Sequence, residues 1–145
     1  ALENKYKEVD YFVCDTFSGV VNSSEKDTFF KNAEYSNASI DDVQEVENIT
    51  GQKFNIVKGI FPKSIEKIHI SKPISFAHID VDTYISAKES LGFLLANSIK
   101  GAMIILDDYG GWFTDGVTKF GNELKSNKEL VVVPNHLGQL IIYKL

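Results

Sequence analysis

The sequence predicts an α/β fold: a mostly parallel sheet with helices on both faces and an antiparallel last strand. Apolar segments of strand length alternate with segments of helical periodicity, which is typical of strands covered on both faces. The chain closes with two apolar segments joined by the short turn "HLG", as in a β-hairpin. Acidic residues follow three of the strands, at the sheet edge where ligands bind in such folds.

The first half of the chain supplies two strands and one helix. Ser39 can cap a helix that carries Ile40, Val43 and Val46 near helical spacing. The predicted elements are a strand at 11–19 that turns at Ser18 and Gly19, a loop at 23–37, a helix at 39–51, a strand at 54–59 and, at most, one helical turn within 61–73.

The second half alternates more regularly. Apolar residues from Tyr84 to Leu95 share one face of the clearest helix, and apolar residues from Phe113 to Leu124 recur at steps of four, three and four. The predicted elements are a strand at 74–82, a helix at 83–101, a strand at 102–111, a helix at 113–127 and strands at 130–135 and 139–145.

Composition limits the class of protein. The 145 residues are 43% apolar and 24% charged, which suits one globular domain over 1–145. The net charge of −5, without a basic stripe, argues against nucleic acid as a partner, and no apolar run is long enough for membrane insertion. The single Cys14 fits a reducing, cytoplasmic setting. A homo-oligomer is left open.

Paired acids follow two of the strands. If these strands are neighbours, the carboxylates of Asp80, Asp107 and Asp108 converge, and they repel one another unless a cation lies between them. Oxygen ligands without cysteine or a well-placed histidine suit magnesium, calcium or manganese. Asp82 then remains near the metal, free to accept a proton.

Structural alternatives exist for each of these acids. Asp82 can cap the helix that follows it, and Asp107 and Asp108 can shape the turn that leads into two glycines. Asp15, after its own strand, can bind the ribose of a nucleotide-like cofactor or belong to a turn. His78 is expected to be a hydrogen-bonded core residue, and Trp112 either covers a pocket or anchors the next helix.

Four segments together resemble the macrocin O-methyltransferase family. They are "YFVCDTFSGV", "VKGIFP", "SFAHIDVDTYISAKESL" and "GAMIILDDYGGW", and their order and spacing are similar to the family's over nearly the whole chain. The resemblance implies a Rossmann-like class I methyltransferase that uses S-adenosylmethionine and Mg²⁺. It also implies methyl transfer to a sugar hydroxyl of a small-molecule glycoside or surface glycan.

The resemblance also implies residue roles. Asp80, Asp107 and Asp108 match the magnesium ligands, and Asp82 matches the general base. Asp15 matches the acid that binds the cofactor ribose, and Thr16 and Phe17 lie beside the adenosine. The turn at Gly59 and Ile60 is expected near the adenine. The implied cofactor-binding residues are therefore Asp15, Thr16, Phe17, Gly59, Ile60 and Asp80.

One part of the family pattern has no counterpart in these 145 residues. The family fold opens with a strand and a glycine-rich turn, whereas the strand at 11–19 already matches the family's second. In family numbering we expect the strand order 3-2-(1)-4-5-7-6, with the bracketed strand missing. The chain is thus expected to be the C-terminal portion of the fold, either a fragment of a longer protein or a truncated product. The activity of these 145 residues by themselves is in question.

Two other classes share some of these features. Aspartyl phosphatases of the haloacid dehalogenase type carry D-x-D-x-T and a later acid pair, but the single helix between Asp82 and Asp107 leaves no room for their intervening motifs. A non-enzymatic receiver-like or metal-binding module fits the length, although receivers place their paired acids after the first strand. Both remain alternatives.

Overall fold

The computed structural model describes residues 9–66 and 68–145 and confirms the α/β class. The order of the elements is as predicted. Their bounds are β1 Phe12–Asp15, α1 Ile40–Thr50, β2 Asn55–Lys58, β3 Ile74–Ile79, α2 Tyr84–Asn97, β4 Ser98–Leu106, α3 Asp115–Leu124, β5 Leu130–Pro134 and β6 Leu140–Lys144. None of the helices in these ranges is long and apolar enough to cross a membrane.

The strands form two sheets, with the orders β2–β1 and β3–β4–β6–β5. β1 pairs with β2 and β3 with β4 in parallel, whereas β6 is antiparallel to both β4 and β5. β3, β4 and β5 therefore run in one direction and β6 opposes them. The described strands follow the predicted order and separate into two sheets at its bracketed position.

One helix–strand boundary differs from the prediction. The helix expected to reach residue 101 ends at Asn97, and β4 begins at once with Ser98. The Ser98 hydroxyl donates to the Leu94 carbonyl, and the Lys144 ammonium donates to the carbonyls of Leu95 (2.6 Å) and Ser98 (2.7 Å). These contacts satisfy carbonyls that the end of the helix leaves free, so the chain can turn directly into the sheet.

The core lies between the four-stranded sheet and the helices α2 and α3. Along α2, Ala87, Leu91 and Leu94 are buried, and along α3, Val117 and Phe120 are buried. They pack on one side of the sheet against Ile79 of β3, Ile104 and Leu106 of β4, and Leu140 and Ile142 of β6. The predicted apolar faces of both helices are thus the faces that form the core.

The other side of the four-stranded sheet is an open face. Its two cross-strand rows consist of Phe76, Met103, Tyr143 and Val131, and of His78, Ile105, Ile141 and Val133. Phe76, Val133 and Val131 are 54%, 45% and 42% exposed. Helix α1 buries none of its side chains. Within the described residues, helices therefore cover one face of this sheet, whereas helices on both faces were expected.

Helix α1 has the ends that the sequence predicted. The Ser39 hydroxyl accepts from the backbone N–H of Asp42 at 3.2 Å, and the Asp42 carboxylate accepts from the Ser39 N–H at 2.8 Å. Gly51 ends the helix in the left-handed conformation, φ 69°, which glycine adopts without steric cost. These local interactions form α1 without a buried face.

Candidate active site

The acids that end the strands meet at one edge of the structure. Asp15 is the last residue of β1, and Asp80 and Asp107 directly follow β3 and β4. The backbone N–H of Asp107 donates to the Ile79 carbonyl at 2.9 Å, so the parallel pairing of β3 and β4 continues into the acidic segments. The topology thus brings Asp80 beside Asp107 and Asp108, as the sequence predicted.

An open cleft with a cavity volume of about 120 Å³ separates the ends of β1 and β2 from the end of β3. Of the residues predicted to bind a cofactor or to act as base, Asp15, Thr16, Gly59, Ile60, Asp80 and Asp82 line it. Phe17 does not line it. The cleft also includes residues that the sequence did not suggest, notably Gly19, Tyr35 and Ser86.

Asp80, Asp82 and Asp108 form a hydrogen-bonded acidic cluster. Burial, followed by repulsion from Asp82 and Asp80, raises the pKa of Asp108 to about 7. Burial, followed by repulsion from Asp80, raises the pKa of Asp82 to about 6. Desolvation and then repulsion from Asp107 also raise the pKa of Asp80. Near neutral pH the three carboxylates therefore share a proton, because their mutual repulsion disfavours full ionisation.

The backbone at this cluster is strained. Asp82 and Asp108 both lie in the left-handed region, with φ 61° and 64°. Side chains other than glycine seldom adopt this conformation, although aspartate and asparagine tolerate it best. β3 was expected to reach residue 82, but the described strand ends at Ile79, before the left-handed Asp82. Such strain concentrates at functional sites, because surrounding structure must hold it.

Asp107 differs from the cluster because its carboxylate is occupied by protein donors. Its Oδ1 accepts from the Asp108 N–H at 2.9 Å, and its Oδ2 lies 2.9 Å from His78 Nε2 and accepts from Gln139 Nε2 at 3.0 Å. Burial alone would raise the pKa of Asp107, but these hydrogen bonds outweigh it and lower the pKa. Asp107 therefore remains ionised and is fixed in orientation.

His78 and Gln139 are contacts that sequence reasoning missed. His78 was expected in the core, but its side chain is 44% exposed and bonds to Asp107. Gln139 comes from the β5–β6 hairpin, where Asn135 Nδ2 donates to its Oε1 at 2.9 Å. No local signal identifies this contact, because Gln139 lies 32 residues after Asp107 in the chain.

The alternative reading of Asp82 as a helix cap is wrong. Thr83 occupies the N-cap position of α2 and makes no side-chain capping bond. The Tyr84 N–H instead donates at 2.8 Å to Asp27, a carboxylate from the loop at 23–37 that is only 3% exposed. Asp27 therefore satisfies the first turn of α2, and Asp82 is left for the cleft.

The cofactor side of the cleft is built from two turns. Asp15 Oδ1 accepts from the Phe17 N–H at 2.6 Å, and the Asp15 carbonyl accepts from the Gly59 N–H at 2.8 Å, which joins the ends of β1 and β2. Gly59 has φ 138°, and a Cβ there would lie 3.0 Å from the Cβ of Ser64. Cys14 lines the cleft, but burial raises the pKa of its thiol to about 11, so it is an unreactive thiol.

The donor set at the cluster suits a hard divalent cation. Converging carboxylates whose pKa values are raised by mutual repulsion gain from a positive charge between them, and magnesium prefers such oxygen ligands. In the described ranges, however, no three His, Cys, Asp or Glu side chains are already arranged around a common ion position. The chemistry of the donors fits a metal, whereas the complete coordination geometry is not formed.

The strand order and the acid-lined cleft define the class of protein, the Rossmann-like methyltransferase fold. Solved structures of this kind are similar to the chain. The O-methyltransferase NovP has a TM-score of 0.67 at 17% identity, over 97% of this chain and 62% of NovP. The calicheamicin methyltransferase CalS11 has a TM-score of 0.68 at 15% identity, over 92% of this chain and 60% of CalS11.

The family follows from the sequence itself. The model of the macrocin-O-methyltransferase (TylF) family matches residues 2–139, and the chain belongs to that family. An O-methyltransferase from Bacillus cereus in complex with SAH is also similar, with a TM-score of 0.53 at 15% identity, over 74% of this chain and 60% of that one. A comparison with curated proteins gives no match. The chain spans about three fifths of the length of these solved structures.

Proposed function

We propose that the chain forms the catalytic edge of an S-adenosylmethionine- and Mg²⁺-dependent O-methyltransferase that acts on a sugar hydroxyl. The single observation that carries the proposal is the cleft, which collects every predicted cofactor or base residue except Phe17. Family membership supports methyl transfer to oxygen. A related apo structure is titled a TDP-rhamnose 3'-O-methyltransferase, which supports a sugar acceptor.

Two absent groups would supply part of the chemistry. Bound S-adenosylmethionine supplies an electrophilic methyl group, and a bound magnesium ion supplies positive charge that orients and acidifies a hydroxyl. Asp15, with Thr16 and the turn at Gly59 and Ile60, would hold the nucleoside portion. Asp80, Asp107 and Asp108 would hold the metal, and Asp107 is the ligand already fixed by His78 and Gln139.

The remaining steps belong to the protein's own residues. Asp82, beside the proposed metal ligands, accepts the proton of the acceptor hydroxyl. Asp82 lines the cleft and also belongs to the acidic cluster. The turns around Asp15 and Gly59 would hold the cofactor, which would supply the methyl group for transfer to the acceptor oxygen.

Calorimetric titration of the chain with S-adenosylhomocysteine tests the proposal. We expect saturable binding that Asp15→Ala weakens and that the exposed α1 variant Ile49→Ala leaves unchanged. Absence of binding, together with turnover of an aryl phosphate, would favour the phosphatase alternative. Binding of beryllofluoride without binding of S-adenosylhomocysteine would favour the receiver-like module.

A further inference from the structure

An aromatic platform lies beside the acidic cluster and has no role in the site described so far. We use this name for Phe29, Phe30, Tyr35, Trp112 and Phe113. The Trp112 ring contacts those of Phe29 and Phe113 at centroid distances of 5.7 and 5.0 Å. Phe30 continues the series to Phe29 at 5.6 Å and to Tyr35 at 6.0 Å. The five rings thus form one connected cluster, in which the buried Phe30 links Tyr35 to Phe29.

Most of this surface faces solvent. Trp112, Tyr35 and Phe29 are 79%, 62% and 52% exposed, whereas Phe30 is 1% exposed and anchors the group. Single exposed aromatic residues are common on proteins, but three in one connected group form an apolar patch of the kind that marks a binding site. The two segments that carry the platform are far apart in sequence, so its assembly depends on the fold.

Hydrogen bonds fix both segments of the platform. In the loop at 23–37, the Thr28 N–H donates to Asp115 Oδ1 at 3.0 Å, and the Lys26 carbonyl accepts from Lys119 Nζ at 2.7 Å. In the segment before α3, the Thr114 hydroxyl donates to the Asp108 carbonyl at 2.8 Å. The platform is thus tied to the first turns of α3 and to a residue of the acidic cluster, and a ligand finds it already ordered.

The platform meets the cleft at one of its rings. Tyr35, at one end, lines the cleft together with Asp82 and Asp15. Trp112, at the other end, lies four residues after Asp108, within the turn that the Thr114 hydroxyl closes. A ligand in the cleft therefore meets Tyr35 first, and the Trp112 segment is the part of the platform that is tied to the acidic cluster.

We propose that the aromatic platform is the acceptor subsite, on which the apolar face of a pyranose ring stacks while one hydroxyl reaches Asp82. This rests on the proposed function for its sugar acceptor. A pyranose presents C–H groups on its faces and hydroxyls at its edge. Exposed aromatic faces match the former and the acidic cluster matches the latter, so the platform selects the acceptor and the acids select the reacting hydroxyl.

Trp112 is the only tryptophan of the chain, so its fluorescence reports directly on the platform. Methyl α-L-rhamnopyranoside and methyl β-D-glucopyranoside serve as probes, with glycerol as the non-cyclic control. We expect a saturable fluorescence change and reduced acrylamide quenching with at least one glycoside and none with glycerol. Phe29→Ala should weaken glycoside binding by about threefold to tenfold, the usual worth of one aromatic contact. Ile49→Ala, an exposed α1 variant, should not weaken it.

A second measurement separates this inference from the proposed function. Saturation-transfer NMR with Trp112→Ala should show weaker glycoside binding than with the wild type. Titration of the same variant with S-adenosylhomocysteine should show unchanged binding. Glycoside binding that neither Phe29→Ala nor Trp112→Ala affects, or that glycerol reproduces, overturns the inference. Weaker S-adenosylhomocysteine binding in Trp112→Ala would assign the platform to the cofactor and would also overturn the inference. Failure of the wild-type chain to bind S-adenosylhomocysteine counts against the proposed function instead.

Discussion

Asp82 has one conformational property that makes its substitution informative. Its φ of 61° and its place in the cleft leave it free of the capping role that Asp27 fills. Asparagine also tolerates the left-handed region, so Asp82→Asn should retain the fold. If Asp82 is the base, methyl transfer by the complete enzyme should fall by about 10²–10⁴ while metal affinity stays nearly unchanged. Single-turnover rates at saturating cofactor and magnesium measure the effect.

The neighbouring Asp80→Asn variant is the matched control for this experiment. It removes a carboxylate of the acidic cluster that is proposed to hold the metal, so metal affinity and rate should fall together. Metal affinity is measured by manganese titration, independently of turnover. Near-wild-type turnover of Asp82→Asn would show that the proton leaves by another group.

Asp108 couples the stability of the metal-free chain to pH. Its pKa of about 7, and the pKa of about 6 for Asp82, lie above the ordinary value of 3.8 for aspartate. Between the ordinary value and these raised values, the folded chain binds more protons than the unfolded chain. This contribution to stability is therefore fully present below about pH 4 and is lost as the pH rises towards 7.

The Asp108→Asn variant isolates this contribution from those of the other titrating groups. Between about pH 5 and about pH 8, the variant should lose less free energy of unfolding than the wild type, because asparagine cannot ionise. Urea denaturation of both proteins at the two pH values measures the difference. Magnesium should reduce the loss of free energy of unfolding in the wild type, because a bound cation would favour the ionised carboxylates. A larger loss in the variant would contradict the shared-proton description of the cluster.

At the scale of elements, α2 depends on a carboxylate from a distant loop. Asp27 accepts from the Tyr84 N–H at 2.8 Å and also from the N–H and hydroxyl of Ser24 at 2.9 and 2.8 Å. Gly116 of α3 lies so close that a Cβ there would be 1.8 Å from Asp27 Oδ1. The loop at 23–37 therefore fastens α2 and α3 together at the end that carries the site.

Asp27→Ala should destabilise the chain by about 2 kcal/mol, because the substitution uncaps α2 and leaves buried donors without an acceptor. Asp27→Asn keeps an acceptor oxygen and should recover much of the loss. Ser39→Ala, which uncaps the exposed helix α1, should cost about 1 kcal/mol or less. Chemical denaturation gives the three values. A smaller cost for Asp27→Ala than for Ser39→Ala would show that the loop does not stabilise α2.

At the scale of the whole molecule, the open face of the four-stranded sheet exposes several apolar side chains. Val131 and Val133 of β5 are 42% and 45% exposed beside Phe76 and Tyr143. Contiguous apolar area of this kind binds hydrophobic dyes and promotes association. The native chain should therefore enhance the fluorescence of anilinonaphthalene sulfonate.

The double variant Val131→Thr/Val133→Thr should reduce that fluorescence and any self-association. Threonine preserves β-propensity, so the free energy of unfolding should change by only about 1 kcal/mol or less. Val46→Thr on α1 is the control, because its position is exposed but isolated from the sheet. Unchanged dye binding in the double variant would show that this face is not the apolar surface that the dye detects.

The sequence by itself determined the element order, the ends of α1 and the acids at the strand ends. These features depend on local rules: Ser39 and Asp42 lie within one helical turn, and the apolar residues of α2 recur at the period of a helix. The pairing of β3 with β4 could also be anticipated, because short connections through one helix favour neighbouring parallel strands. With that pairing, Asp80 and Asp108 had to converge.

Only the tertiary structure decided which groups complete the site. Asp27 lies 57 residues before Tyr84, and Gln139 lies 32 residues after Asp107, so neither contact leaves a local pattern in the sequence. The left-handed backbone of Asp108 and the raised pKa values arise from neighbours that the fold assembles. The exposed platform around Trp112 is likewise joined from two distant segments. Such contacts depend on where the chain returns in space, which periodicity and capping do not specify.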